Sequence, residues 1–146
     1  MDNKQVNAVY DSPTGDHFYA VKQFLYQVKD ARRRISVIEE QIMYRQAAME
    51  QLAPSDSEAL RGATDIDALE GKLREAEKEL ARVTVVVSDA ICELEDVNQQ
   101  MVLMKRYISG KSWECIAQEM DNTARWAQKQ HGRALPHLEA ILFGDA

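Results

Sequence analysis

The chain is poor in the residues that mark turns and staples. Its 146 residues include only three Pro, six Gly and two Cys, few turn formers for the many tight reversals of a sandwich or barrel. Cys92 and Cys115 are far apart, with no second pair and no His at ligand spacing. That pattern reads as two free thiols of a cytosolic protein, not as a disulfide framework or a zinc site. His131 and His137 likewise miss zinc spacing on one helix face. Aromatics make up 7% of the residues, so any core must be built mainly from aliphatics and Ala. No apolar run approaches the roughly 18 residues of a membrane span, and the opening MDNKQVNAVY carries no apolar h-region. A cytoplasmic location without a membrane partner is therefore expected. Catalytic signatures are missing too: there is no Gly-rich phosphate loop, no Ser/His/Asp or Cys/His set, and no carboxylate cluster beside a His. Neither enzymatic activity nor a cofactor or metal is expected.

What is present favours helix. Hydrophobic residues reach 45%, many of them Ala, among long runs of Glu, Lys, Arg and Gln. The formal net charge of −6 opposes non-specific coating of a nucleic acid, whose phosphates repel an acidic surface. It leaves room for one small basic face.

Residues 1–15 read as a flexible tail closing on the turn-forming DSPTG, with Asp16 as a helix cap. From Phe18 through Val21, Leu25, Val28, Ile35, Ile38, Ile42, Met49 and Leu52, apolar residues recur at spacings of three and four. This predicts one long amphipathic helix ending near Ala53-Pro54. Arg32–Arg34 interrupts the stripe and reads as a solvated face, with one Arg stem along the core. Pro54–Asp65 reads as a loop, after which Thr64 or Asp65 caps a second helix. Ile66, Leu69, Leu73, Leu80, Val83, Val87, Ile91, Leu94, Val97, Met101 and Met104 carry that helix close to a heptad seam. The β-branched Thr84–Val87 weakens it by only a few tenths of a kcal/mol per residue.

Neither stripe can bury itself. The economical solution is an antiparallel, coiled-coil-like hairpin over residues 16–100, with its loop near 54–65. Left-over apolar surface points to a homodimer. The expected class is all-α, with a C-terminal helix-turn-helix domain over residues 101–146.

That domain is the most informative stretch. Gly110 suits the left-handed residue that closes a helix, and Ser112 suits the cap of the next. Trp113, Ile116, Ala117 and Met120 give that helix one buried face. Asp121-Asn122-Thr123 makes a turn, and a further helix carries Trp126, Ala127, Ala134, Leu135 and Leu138 inward. Helix, tight turn, helix is the pattern of a helix-turn-helix. From Thr123 to Leu135 every formal charge is positive. Reading DNA requires outward polar and basic side chains near the start of the second helix: Arg onto guanine, Gln onto adenine, Lys onto phosphate. Arg125, Gln128, Lys129 and Arg133 are in place for it, and Lys111 and Thr123 complete the candidate DNA-binding set. Trp113 and Trp126 either stack on bases or, the preferred reading, anchor the core with Ile116, Ala117, Met120 and Leu135.

LMKRYISGKSWECIAQEMDNTARWAQKQHGRAL resembles the sigma-70 region-4-like helix-turn-helix of small phage and prophage proteins, which are similar to phage late-gene transcriptional regulators. The resemblance rests on Leu103, Arg106-Tyr107-Ile108, Gly110-Lys111-Ser112-Trp113, Ile116-Ala117, Arg125-Trp126 and His131-Gly132-Arg133-Ala134-Leu135. It implies binding to double-stranded promoter or operator DNA in the cytoplasm of a bacterial host cell, with RNA polymerase as a candidate partner. Several residues depart from the family pattern. Asp121-Asn122 stands where a Gly-aromatic turn is usual, and Ala127 and Gln130 stand where larger aliphatics anchor the second helix, so loose docking of that helix is expected. Pro136 is expected to bend or restart the helix, leaving His137–Phe143 as a short terminal one. Tyr107 is expected to pack under the motif, and His131 to lie on the surface without a partner. Glu114 and Glu119 should point away from DNA or meet a basic protein surface. The alternative function is an acidic helical adaptor or inhibitor that binds RNA polymerase or another host regulator without reading DNA.

Overall fold

The computed structural model describes residues 18–51 and 56–144, and among them it is all-helical with no strand. The expected tail, the Asp16 cap and the end of the first long helix near Ala53-Pro54 lie outside the described residues. Two compact units divide the chain, one of residues 29–83 and the other of the described residues up to Val28 together with Thr84 onward.

The first long apolar stripe forms α1 (Tyr19–Leu25) and α2 (Gln27–Gln51), separated at Tyr26. The second forms α3 (Asp56–Ile91). In the unit of residues 29–83, Arg45 on α2 donates to the Asp65 carboxylate on α3 at 3.0 Å. The Met49 side chain lies against Gly62, where an added Cβ would meet its sulfur at 2.9 Å. As the α2 position rises from 45 to 49, the α3 position falls from 65 to 62, so the two helices run antiparallel. The expected loop over Pro54–Asp65 is much shorter than that, because α3 already begins at Asp56. Thr64 is inside the helix and its hydroxyl donates back to the Leu60 carbonyl at 2.9 Å. Polar composition suggests a loop, but SEALRGATD contains good helix formers, and the hairpin contact offsets its one glycine.

The second stripe does not run unbroken to Met104. It stops at Ile91, turns over Cys92–Asp96, and resumes as α4 (Val97–Leu103). Asp96 caps the new helix, accepting from the backbone N–H of Asn98 at 2.8 Å and of Gln99 at 3.1 Å. The Gln100 side-chain amide donates to the carbonyls of Leu94 and Cys92, which α3 leaves open. The break shifts the helical phase, so Val97 and Met101 are exposed while Gln99, Val102 and Leu103 are buried.

Beyond α4 the backbone widens into a π-helical turn at Met104–Ile108. Gly110 then adopts φ 72°, and the Lys111 N–H closes on the Lys105 carbonyl at 3.0 Å. Ser112 caps α5 (Trp113–Glu119) by accepting from Cys115 N–H. The turn after α5 places Asp121 at φ 53°. Asn122 N–H bonds the Ala117 carbonyl at 2.9 Å and Asp121 N–H bonds that of Gln118 at 3.3 Å. This is a Schellman closure, with Asp in the left-handed place that glycine usually holds.

Thr123 caps α6 (Ala124–Phe143), which packs against α1, α4 and α5. The helix runs unbroken through Pro136, in place of the expected restart. Proline inside a helix costs about 3 kcal/mol, but Pro136 is exposed while its neighbours Ala134, Leu135 and Leu138 are buried. Burying each Leu contributes roughly 1.5–3 kcal/mol, enough to keep the helix continuous across the missing hydrogen bond. Replacing Pro136 with Ala should therefore stabilise the protein by about 1–3 kcal/mol. Urea denaturation checks this, and an unchanged or lower midpoint would show that the ring serves the fold.

Candidate nucleic-acid interface

The candidate face is built from α6 outward. Its first turn contains no acidic residue, and the Thr123 hydroxyl accepts from Trp126 N–H at 3.0 Å, fixing where the helix starts. Unpaired N–H groups there carry a partial positive charge. Helical spacing places Arg125, Gln128, Lys129 and Arg133 within one arc, and all four are exposed. Among the described residues no carboxylate pairs with Arg125, Lys129 or Arg133. Gly132 falls in the same arc, and a Cβ added to it would meet nothing within 4 Å.

The opposite arc is buried. Ala127 is fully enclosed in a cluster with Val102 and Ile116, around which Trp113, Met120 and Trp126 pack. Ala117 and Leu135 are buried as well, each 5% exposed. The small side chain of Ala127 permits close approach of the helices, so the expected loose docking gives way to a tight contact. Gln130 is buried too.

The two tryptophans are only partly buried, and Trp113 is engaged on two sides. The Arg106 guanidinium lies over its ring at 4.4 Å, and the His131 ring meets it edge-on at 5.2 Å.

His131 is the residue whose placement differs most from the sequence expectation. Its Nε2 lies 2.6 Å from the Tyr107 hydroxyl, and its ring stacks on that tyrosine, which in turn meets Tyr26 edge-on. The helical wheel carries the signal, since His131 falls between the directions of Ala127 and Leu135, in the middle of the buried arc. Burial first, and then the charges of Lys22 and Arg106, lower its pKa to about 4. Burial likewise pushes the Tyr107 hydroxyl far above its ordinary range. Both rings are therefore neutral at pH 7.

Lys111 and Thr123 stand differently from the other candidates. The Thr123 oxygen is the cap of α6. The Lys111 ammonium donates to Glu119 Oε2, while Lys105 donates to Glu119 Oε1 at 2.7 Å. These two hydrogen bonds hold the Glu119 carboxyl well below its usual range, at about 2. The same bond raises the Lys111 pKa. Glu119 is thus spent on neighbouring lysines, which sequence spacing does not reveal.

Cys92 and Cys115 are free thiols. Among the described residues, no group of three or more His, Cys, Asp or Glu could hold a metal ion, and no helix is long and apolar enough to cross a membrane. Compared with protein-family models, with curated proteins and with solved structures, the chain matches none.

The partly buried imidazole makes stability depend on pH. The folded pKa of His131 lies below its unfolded value near 6.5. Its contribution is therefore complete above about 6.5 and is lost as the pH falls toward 4, because the unfolded chain takes up a proton that the folded one refuses. Denaturation midpoints for the wild type and His131→Gln, compared over that window, should converge as the pH drops. A constant difference between them would contradict a partly buried neutral imidazole.

Proposed function

We propose that the chain is a phage-type transcriptional regulator that lays α6 in the major groove of promoter DNA. The helical hairpin serves self-association or contact with RNA polymerase. The observation that carries this reading is the exposed, acid-free arc of Arg125, Gln128, Lys129 and Arg133 on a chain of net charge −6. A basic arc on an acidic protein concentrates attraction for phosphate on one surface and leaves the rest repelled. The capped start of α6 adds the helix dipole to that surface. Within the arc, Arg125 and Gln128 have the donor geometry for guanine and adenine edges, while Lys129 and Arg133 suit the flanking phosphates. The likeness of the last third of the chain to sigma-70 region-4-like proteins supports the same reading.

One observation favours a second reading, an acidic adaptor that binds RNA polymerase or another host regulator without DNA. Glu119 pairs with Lys111, one of the candidate DNA-binding residues, and with Lys105, leaving fewer cations for a backbone.

Mobility-shift titrations on DNA upstream of the gene and of its neighbours, at several salt concentrations, separate the two. Arg125→Ala/Lys129→Ala should weaken binding at least tenfold and flatten the slope of log K against log salt by up to about 2, near 0.9 for each phosphate no longer neutralised. Equal affinity for random and promoter DNA, untouched by the double substitution, would overturn the DNA reading. Nuclease-resistant recovery of polymerase from host lysate would then favour the adaptor.

A further inference from the structure

Three segments converge on one carboxylate. Lys105 comes from the π-helical turn, Lys111 from the loop after Gly110, and Glu119 from the last turn of α5. Each carboxylate oxygen takes one ammonium: Oε1 from Lys105 at 2.7 Å and Oε2 from Lys111 at 2.5 Å. All three side chains are between 23% and 34% exposed, so the cluster is open to solvent on one side. Its formal charge is two positive against one negative, an excess of one. The backbone holds the lysines together independently of the carboxylate, because Lys111 N–H bonds the Lys105 carbonyl at 3.0 Å. Arg106 further steadies this loop by donating to the Lys111 carbonyl at 3.1 Å.

Two ammonium groups held this way present one donor to each of two oxygens on a single anionic centre. A phosphodiester has the same arrangement, with one negative charge shared between two non-bridging oxygens. A carboxylate in that position both organises the lysines and competes with any phosphate for them. We propose that Lys105 and Lys111 form a further phosphate-binding site for duplex DNA, which the Glu119 carboxylate occupies until the DNA backbone displaces it. The site rests on the DNA reading above. It extends the protein's hold on the backbone beyond α6 to the entrance of α5. A contact of this kind positions the protein on the duplex and carries no sequence information. Glu119 then sets how tightly the chain holds any DNA, while Arg125 and Gln128 set which DNA it holds.

Glu119→Gln removes the competing charge and keeps the shape, and Glu119→Ala removes the group altogether. Binding is read by titration of promoter duplex across salt concentrations, with folding checked by circular dichroism and urea denaturation. In either variant promoter binding should tighten severalfold, because no carboxylate has to be displaced, whereas Lys105→Gln/Lys111→Gln in the wild-type background should flatten the slope of log K against log salt by about 1, near 0.9 for the one phosphate no longer neutralised. Adding Lys105→Gln and Lys111→Gln to the Glu119→Gln variant should cancel that gain. If the folded Glu119 variants bind promoter DNA no more tightly than the wild type, the proposal fails while the DNA reading stands. If the wild type shows no binding that Arg125→Ala/Lys129→Ala weakens, the DNA reading itself fails, and the proposal with it. Loss of fold in both Glu119 variants would make the cluster a structural clamp and would equally overturn the proposal.

Discussion

The candidate face depends on the hydrogen bond between Tyr107 and His131 and on the rings that enclose it. Tyr107 belongs to the π-helical turn, His131 to α6, Trp113 to α5, and Tyr26 closes α1. Segments from the start, middle and end of the described chain therefore meet at one small set of rings. Dispersion and burial supply most of the attraction. The polar contact adds to the packing of Ala127, Ala134, Leu135 and Leu138 in fixing the rotation of α6, because a shielded imidazole that loses its partner leaves a polar atom poorly satisfied. Once that rotation is set, Arg125, Gln128, Lys129 and Arg133 must face outward. The inward packing and the outward charge are two sides of one helical period.

Charge is handled locally. Net acidity would ordinarily spread repulsion over the whole surface, but α6 is kept free of carboxylates up to Leu138, and Glu119 of α5 is tied to two lysines. The exposed i,i+3 pair of Glu79 and Arg82 on α3 is a different matter, since such surface pairs add little to stability.

Much of this architecture can be read from residue spacing. Apolar recurrence at three and four marks the long helices, and Gly110, Ser112 and Thr123 mark the ends of the short ones. Two things cannot be read that way. The break at Cys92–Asp96 leaves the apolar rhythm almost intact, because Leu94 and Val97 still fall at helical spacing, and only the Asp96 cap and the Gln100 contacts reveal it. Pro136 misleads in the opposite sense, since a local penalty is outweighed by packing of Leu135 and Leu138. Side-chain partnerships across long sequence separations, such as Lys105 with Glu119 or Tyr107 with His131, leave no trace in a period. The outward position of the basic residues does follow from the period, because it is the complement of the buried arc.

The shortness of α5 makes its structure depend on its neighbours. Seven residues between two left-handed positions, Gly110 and Asp121, fall well below the length at which a helix holds itself in water, roughly 12–15 residues. Such a segment cannot serve as a nucleus. It gains its structure only when α4 and α6 present the surfaces of Val102 and Ala127 to Ile116. α4 is equally short, and both pack against the 20-residue α6. Lys111 precedes α5 and Glu119 ends it, so their ion pair requires α5 to be folded, and the surface around them reports on the packing of α5 in a way that α6 alone does not.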